Sequence, residues 1–286
     1  MDIPVWHDDQ QGTATIVTAG AINALKIVGK PLDNALVCMV GAGAANIAIA
    51  RVLIAAGVQQ KNIIMADSKG ILHTSRKDLE KERDINPEKW QMCLKSNTEG
   101  RTGTLAEAIK NTDICIAASK PGPGTIKKEW ITSMAEDSIV FATANPVPEI
   151  WPWEAEEAGA RIIATGRSDF PNQINNSLGF PGIFRGTLDV RAETITDEMC
   201  IAAAYELAKT AEDTGLSDTY IVPTMDSWEV FPREAVAVGL KAISQGIARL
   251  KPSRQDLYDH AMSIIKKSRD ITQSLMKHGF IDQAPD

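Results

Sequence analysis

A glycine-rich segment lies between a short apolar run and a helix-like pattern, with the sequence Val40-Gly41-Ala42-Gly43-Ala44-Ala45-Asn46. In a turn of this kind the first glycine permits a tight bend, and the second lets the backbone approach a pyrophosphate. The first N–H groups of the following helix then present a positive partial charge to the phosphates. Asn46 stands where a third glycine would be expected, so the segment alone also fits a glycine-containing turn without a ligand.

Asp67 favours the nucleotide interpretation, because it follows Asn46 by 21 residues and ends the next apolar run. A carboxylate at that position accepts hydrogen bonds from a ribose diol. It would also repel a 2′-phosphate, which favours NAD, whereas Lys69 would pair with that phosphate and keeps NADP open. The predicted cofactor-binding residues of these two segments are Gly41, Ala42, Gly43, Ala44, Ala45, Asn46, Asp67, Ser68 and Lys69.

The cluster His7-Asp8-Asp9-Gln10 places two carboxylates side by side before a helical pattern. Such carboxylates can simply cap the helix and interact favourably with its dipole. They can also bind a hard cation, because Mg²⁺ and Mn²⁺ prefer carboxylate oxygens. Asp9 and Asp8 are therefore candidate metal ligands, although two carboxylates alone make an incomplete site.

Side-chain amides form two further polar groups in regions that otherwise read as sheet. Asn145 follows a buried run, and Pro146 biases it toward extended geometry, so its amide would project beyond the carboxyl end of a strand. Ligands bind at that end of open α/β sheets. Asn172-Gln173-Ile174-Asn175-Asn176 lies farther along the chain. These amides fit turn formation, and they equally fit neutral donors to a small carboxylate and to a nicotinamide carboxamide.

Short apolar runs alternate with helical patterns over the first two-thirds of the chain. Strands are predicted at 36–40, 62–66, 114–118, 138–143 and 160–164, and helices at 13–28, 47–56 and 105–110. This alternation predicts an α/β fold with a parallel, doubly wound sheet of the Rossmann type. Three helices are predicted after Thr196, at 197–213, 232–249 and 254–278. We divide the chain into an entry segment with its helix (1–30), a dinucleotide-binding domain (31–195) and a helical C-terminal extension packed on it (196–286).

Composition narrows the classes of partner and compartment. The 286 residues carry a net charge of −7 with no basic block. Nucleic-acid binding needs a basic surface, so we expect no nucleic-acid partner.

The apolar stretch 35–58 nears the length of a membrane span, but Gly41 and Gly43 divide it into a strand and a helix, so we expect no membrane span. The N-terminus has no signal-peptide pattern. The four cysteines show no CxxC spacing, and Cys38 and Cys115 lie in apolar runs, so we expect buried free thiols in a reducing cytoplasm.

Taken together, these segments resemble the malic enzyme family, specifically its smaller prokaryotic type. The resemblance extends over nearly the whole chain in consistent order, and two of its segments, HDDQxGTA and GRSDxPNQxNN, are highly specific. The matching stretches are 3–14, 40–45, 66–70, 144–146, 164–176 and 180–186.

The resemblance implies oxidation of malate at C2 by hydride transfer to NAD(P)⁺, followed by decarboxylation to pyruvate, with a Mg²⁺ or Mn²⁺ ion as Lewis acid. It implies that Asp9 is a metal ligand with Asp8 beside it. It also implies that Asn145, Asn175 and Asn176 contact the substrate, with Asn145 near the nicotinamide as well. NAD is the expected cofactor, with NADP as the alternative. The expected protein partner is a second copy of the chain in a homodimer, or a missing N-terminal half.

The same resemblance places the family's other two metal ligands, its lysine base and its tyrosine acid upstream of the His7–Gln10 segment. Tyr205, Tyr220 and Tyr258 match no catalytic motif, so we expect no catalytic acid or base in this sequence and little turnover of malate by this chain alone. Two other functions stay open. One is a non-catalytic dinucleotide-binding module that regulates or assembles with a partner, and the other is an amino-acid- or folate-linked dehydrogenase.

Overall fold

The computed structural model describes residues 3–283. Six strands form one sheet in the order β3-β2-β1-β4-β5-β6. Every neighbouring pair is parallel except β2 and β3, which are antiparallel. The strands are β1 (Val37–Val40), β2 (Ile63–Asp67), β3 (Gly70–Ile71), β4 (Ile114–Ala117), β5 (Ile139–Ala142) and β6 (Ile162–Thr165). The predicted doubly wound parallel sheet is thus confirmed, and β3 is an addition to it.

Helices cover both faces of the sheet and continue beyond it. They are α1 (Thr13–Ile27), α2 (Ala44–Ala56), α3 (Lys77–Lys81), α4 (Pro87–Lys95), α5 (Leu105–Ile109), α6 (Lys128–Ile131), α7 (Pro152–Glu157), α8 (Phe180–Asp189), α9 (Asp197–Thr214), α10 (Val230–Ser244) and α11 (Arg254–Lys277). A π-helical turn, Asp8–Gly12, leads directly into α1.

The two faces of the sheet have separate apolar cores. On β1, Val37 and Met39 pack with α1, α2 and α9, whereas Cys38 and Val40 pack with α5, α6 and α7. Because both faces are covered, β1, β4 and β5 are buried at every position. This burial explains why these strands appear in the sequence as continuous apolar runs rather than as alternating ones.

The N-terminal helix α1 lies against the sheet and is covered on its other side by α9. Asn23, which is buried in the middle of α1, donates to the carbonyl oxygens of Ala208 at 2.9 Å and Ile221 at 2.8 Å. The entry helix is thereby tied to α9 and to the loop before α10. A third apolar core joins α8, α9, α10 and α11. The boundaries 1–30, 31–195 and 196–286 stay a prediction.

The structure differs from the predicted elements at several places, and it adds the short helices α6 and α7. Helix α2 begins at Ala44, three residues earlier than predicted, and directly after the glycine turn. Helix α10 covers 230–244, so the prediction of 232–249 is wrong at its C-terminal end. Helix α8 was not predicted. No helix among residues 3–283 is both long and apolar enough to cross a bilayer, and all four cysteines are buried and free.

Candidate functional site

The glycine turn after β1 brings the backbone close to the neighbouring strand. Gly41 has φ = +100°, and a β-carbon there would lie 2.8 Å from the carbonyl oxygen of Ala118, just beyond β4. The Gly41 N–H donates to the Ala66 carbonyl oxygen at 2.8 Å, at the end of β2. Only glycine combines this backbone conformation with so close an approach. Gly41 therefore shapes the crevice where the strand order reverses between β1 and β4.

Gly43 has no such internal reason to be glycine. Its φ is −86°, and a β-carbon there would meet nothing within 4 Å. Helix α2 starts at the next residue, without a side-chain cap and without an acidic residue in its first turn. Its first N–H groups thus lack intrahelical partners. An open position beside an uncapped helix N-terminus fits the approach of a pyrophosphate, so the chain's own residues fit a dinucleotide here.

Asn46 acts inside the turn. It is buried, and its Nδ2 donates to the carbonyl oxygens of Val40 at 2.7 Å and Gly41 at 2.9 Å. Its Oδ1 has no hydrogen-bond partner among the described residues. The side chain that replaces the third glycine therefore holds the turn in shape. Ala42, Ala44 and Ala45 lie at the partly or fully exposed rim of the turn.

Asp67 ends β2 as predicted, but it is engaged by cations. Arg76 bonds both of its oxygens, at 3.1 and 3.2 Å, and Lys89 Nζ lies 2.8 Å from Oδ2. The Lys69 N–H adds a bond of 2.9 Å. Partial burial opposes ionisation of Asp67, but these donors outweigh that effect and lower its pKa. The carboxylate is firmly ionised and already shares its acceptor sites.

The surroundings of Asp67 carry a net positive charge. Lys69 Nζ and Arg76 Nη2 pair with Asp78 at 3.1 and 2.6 Å. Arg76, Lys89 and Lys69 thus contribute three positive charges against two negative charges from Asp67 and Asp78, which leaves one positive charge. Ser68 is exposed at the edge of this group. An anion such as a 2′-phosphate would be attracted to this edge of the sheet.

A cleft of about 290 Å³ lies at the carboxyl ends of β1, β4 and β5. It brings together residues that are far apart in the sequence, namely the entry segment, the start of α2, the two loops after β4 and β5, and the amide-rich segment. The lining residues are Asp9, Thr13, Ala45, Ala118, Ser119, Thr143, Ala144, Asn145, Ile174, Asn175 and Asn176. The structure thereby brings the predicted residues Asp9, Asn145, Asn175 and Asn176 to one cleft.

The two carboxylates of the acidic cluster have different surroundings. Asp8 accepts hydrogen bonds from Asn176 Nδ2 at 2.7 Å and from Trp6 Nε1 at 3.3 Å. Burial raises the pKa of Asp8, with a further contribution from the charge of Asp9. Asp9 is exposed and lines the cleft. Across residues 3–283, no three His, Cys, Asp or Glu side chains come together as a metal-binding group, so these residues do not by themselves form a complete cation site.

The amides at the cleft also differ in their bonding. Asn175 donates through Nδ2 to the Gly166 carbonyl oxygen at 3.0 Å, and its Oδ1 accepts the Ser177 N–H at 3.0 Å. Both ends of this amide are thus used within the chain. Asn176 uses its Nδ2 on Asp8, and Asn145 is exposed at the mouth of the cleft. Asn145 and Asn176 are the amides best placed to reach a ligand.

Sequence reasoning missed Arg76, Lys89 and Glu149. Arg76 and Lys89 lie in a charged stretch with no recognisable motif, and only folding brings them to Asp67. Glu149 follows the Asn145–Pro148 segment and is fully buried behind the cleft, where it accepts bonds from Ser119 and Ala144. The one sequence feature that could have indicated Glu149 is that it is a glutamate inside an apolar stretch before Trp151.

The sheet order, the glycine turn and the carboxylate at the end of β2 define a dinucleotide-binding domain of the Rossmann class. A family model described as "Malic enzyme, NAD binding domain" matches residues 10–243. The chain belongs to the malic enzyme family through this domain.

Curated relatives and solved structures agree with this assignment. The bifunctional malic/malolactic enzyme of Bacillus subtilis is 42% identical over 95% of the chain, and the NAD-dependent malic enzyme of Geobacillus stearothermophilus is 46% identical over 87%. An NADP-dependent malic enzyme of Halomonas elongata is 41% identical over 87%. The crystal structure of Entamoeba histolytica malic enzyme superposes with a TM-score of 0.96 at 49% identity and covers the entire chain.

The chain spans only part of each of these proteins. It covers 62% of the Bacillus subtilis protein, 50% of the Geobacillus protein and 60% of the Halomonas protein. It covers 58% of the Entamoeba chain. The match therefore concerns the NAD-binding part of a larger enzyme.

Proposed function

We propose that this chain is the NAD(P)-binding part of an enzyme that oxidises and decarboxylates malate to pyruvate and CO₂. The observation that carries the proposal is the single cleft that joins Asp9, Asn145 and Asn176 to Ala45, at the end of the glycine turn. An ion ligand, two amides and a phosphate-binding turn are the parts that a hydroxy-acid carboxylate and a dinucleotide need side by side. The absence of an assigned base or acid in this segment supports the further proposal that the chain alone turns over little malate.

Each of these side chains would have a separate task. Asn145 and Asn176 would donate to a substrate carboxylate or to the nicotinamide carboxamide, because neutral amides can bind either group. Asp9 would supply one ligand to a Mg²⁺ or Mn²⁺ ion, with the remaining ligands coming from the part of the enzyme that this chain does not span. Asp8 would keep Asn176 oriented through their 2.7 Å hydrogen bond.

The cofactor choice is more open than the sequence suggested. NAD was favoured because Asp67 repels a 2′-phosphate, but Arg76 and Lys89 neutralise that carboxylate. We therefore propose that the domain accepts both NAD and NADP, with Arg76 and Lys89 providing the affinity for the phosphate. Among the relatives, one is described as NAD-dependent and another as NADP-dependent.

The proposal also includes a cytoplasmic location. We further propose that the chain forms a homodimer or a complex with a protein that supplies the part of the relatives that this chain does not span. Four free cysteines favour a reducing compartment. Phe180, Phe184 and Leu188 on α8 are exposed apolar side chains, which suit contact with another protein surface.

Titration of the 286-residue chain with NAD⁺ and NADP⁺ by calorimetry tests the binding part of the proposal, which fails if neither nucleotide binds. A chimera in which this chain replaces the matching 62% of the Bacillus subtilis relative tests the reaction. We expect malate-dependent NAD(P)H formation by the chimera and almost none by the chain alone. Robust, metal-dependent pyruvate formation by the isolated chain would contradict the proposed division of the active site.

A further inference from the structure

Glu149 is a buried carboxylate that the proposed reaction does not use. It lies between β5 and α7, and its side chain is 0% exposed. Its Oε1 accepts hydrogen bonds from the Ser119 N–H at 2.8 Å and the Ser119 hydroxyl at 3.2 Å. Its Oε2 accepts the Ala144 N–H at 3.1 Å. Every contact is accepting, which is the pattern of an ionised carboxylate.

The donors to Glu149 are neutral, and within residues 3–283 the carboxylate forms no ion pair. Burial raises the pKa of Glu149, and the bonds from Ala144 and Ser119 act in the opposite direction. Burying a charge without a counter-ion is costly, and an apolar residue would fill the same space without that cost. The position therefore calls for an explanation beyond packing.

The carboxylate joins the two loops that form the wall of the cleft. Ser119 follows β4 and Ala144 follows β5, and both residues line the cleft. Backbone bonds from Gly122 to Val147 at 3.2 Å and from Ile126 to Glu149 at 3.1 Å join the same loops farther out. The side chain of Glu149 thus connects the loops closer to the strands than these two backbone bonds do, directly behind the surface that a ligand would touch.

This wall corresponds to the nicotinamide half of a dinucleotide. The pyrophosphate belongs at the turn after β1, and the adenosine ribose belongs at Asp67 after β2. The other half must then extend to the opposite side of the crevice, along β4 and β5. The nicotinamide ring carries a positive charge when oxidised and none when reduced, so a fixed negative charge behind the wall favours the oxidised ring.

We propose that Glu149 is a positioning residue that fixes Ser119 and Ala144 against the nicotinamide and, through its charge, selects the oxidised cofactor. The inference rests on the proposed dinucleotide binding. The test is titration of the full chain and its Glu149→Gln variant with NAD⁺, NADH and ADP-ribose, which lacks the nicotinamide. Glutamine keeps the size, removes the charge and turns a donor toward Ser119 or Ala144. Glu157→Gln, an exposed change on α7, is the matched control.

We expect Glu149→Gln to lower NAD⁺ affinity by about tenfold, NADH affinity by less, and ADP-ribose affinity by less than about twofold. Equal weakening of NAD⁺ and ADP-ribose, or no change in either, would overturn the inference. If Glu149→Gln does not fold, the Ser119→Ala variant removes only the hydrogen bond that the Ser119 hydroxyl donates to Glu149. A change of NAD⁺ and ADP-ribose affinity by the same factor in that variant would again overturn the inference. If the unmodified chain binds none of the three ligands, the proposed function itself fails.

Discussion

Arg76 donates to both carboxylate oxygens of Asp67, through Nη1 at 3.1 Å and Nη2 at 3.2 Å. The two side chains are largely buried, with 12% and 14% exposure, so the pair is better protected from solvent than an ordinary surface ion pair. The acid that sequence analysis took to disfavour a 2′-phosphate is thus covered by a guanidinium. We therefore expect cofactor preference at this edge to depend on the pair and not on Asp67 alone.

Replacing Arg76 with glutamine is expected to lower NADP⁺ affinity about tenfold relative to NAD⁺, because the proposed charge-assisted contact to the phosphate would be lost and Asp67 would regain acceptor sites. Parallel titrations with the two nucleotides measure the ratio. Lys77→Gln, an exposed change at the next residue, should leave the ratio unchanged. A ratio that does not move in the Arg76 variant would place phosphate recognition elsewhere.

The two glycines of the turn should respond differently to alanine. Gly41→Ala places a β-carbon 2.8 Å from the Ala118 carbonyl oxygen at φ = +100°, and we expect it to lower the free energy of unfolding by about 1–3 kcal/mol. Gly43→Ala points into open space, and we expect stability to change by less than about 0.5 kcal/mol. Its β-carbon would nevertheless obstruct a pyrophosphate, so NAD⁺ affinity should fall by about tenfold or more.

Urea unfolding and calorimetric titration of both variants separate these effects. Normal NAD⁺ binding by Gly43→Ala would mean that the phosphates do not approach this residue. A fully stable Gly41→Ala variant would mean that the β1–β4 crevice can widen without cost.

The parts of the fold that sequence analysis predicted are those whose burial leaves a pattern. Strands covered on both faces are continuously apolar, and Asp67 is recognisable because it follows such a run. Helix α8 was missed although Ile183, Phe184 and Leu188 recur at helical spacing, because Pro181, Gly182 and Gly186 resemble turn residues. A β-carbon on Gly186 would lie 2.3 Å from the Ala235 carbonyl oxygen, so this glycine permits close packing of α8 on α10. Tertiary packing, which the local sequence does not reveal, makes this segment helical.

In the candidate site, too, sequence analysis predicted some residues and missed others. Asp9, Asn145 and Asn176 were proposed from the sequence because they belong to recognisable motifs or follow a strand. Arg76 and Lys89 were not, because they reach Asp67 from positions 9 and 22 residues later, in a stretch without periodicity. The hydrogen bonds of Asn46 to Val40 and Gly41 could not be predicted either, since they depend on the shape of the turn that it stabilises.

Glu234 on α10 should make stability depend on pH. It is fully buried, its carboxylate oxygens have no hydrogen-bond partner among the described residues, and burial raises its pKa well above 4.5. A raised pKa in the folded state means that this state holds the proton more tightly than the unfolded chain does. The contribution of Glu234 is therefore fully present below about pH 4.5 and is lost as pH rises toward the folded-state value.

Glu234→Gln removes this titration, so we expect it to raise the free energy of unfolding by about 1 kcal/mol or more at pH 8 and to have a smaller effect at pH 5. Urea unfolding at the two pH values measures the difference. Glu229→Gln, an exposed change at the start of the same helix, should show no comparable dependence on pH. If the Glu234→Gln variant gained the same unfolding free energy at both pH values, burial of the ionised carboxylate would not be the cause of the gain.

Asn176 and Asp8 should be energetically coupled, because their 2.7 Å hydrogen bond joins segments 168 residues apart. Asn176→Ala leaves the partly buried Asp8 with Trp6, at 3.3 Å, as its one side-chain donor among residues 3–283, and we expect a loss of about 1–2 kcal/mol in unfolding free energy. Asp8→Asn weakens the same bond, so the double variant should lose less than the sum of the two single losses. A double-mutant cycle by urea unfolding gives the coupling energy. The same cycle with Asp84→Asn, a change at a highly exposed side chain, should be additive. Additivity in the Asp8 cycle as well would mean that this hydrogen bond does not hold the entry segment at the cleft, and that Asp9 is positioned by the helical turn alone.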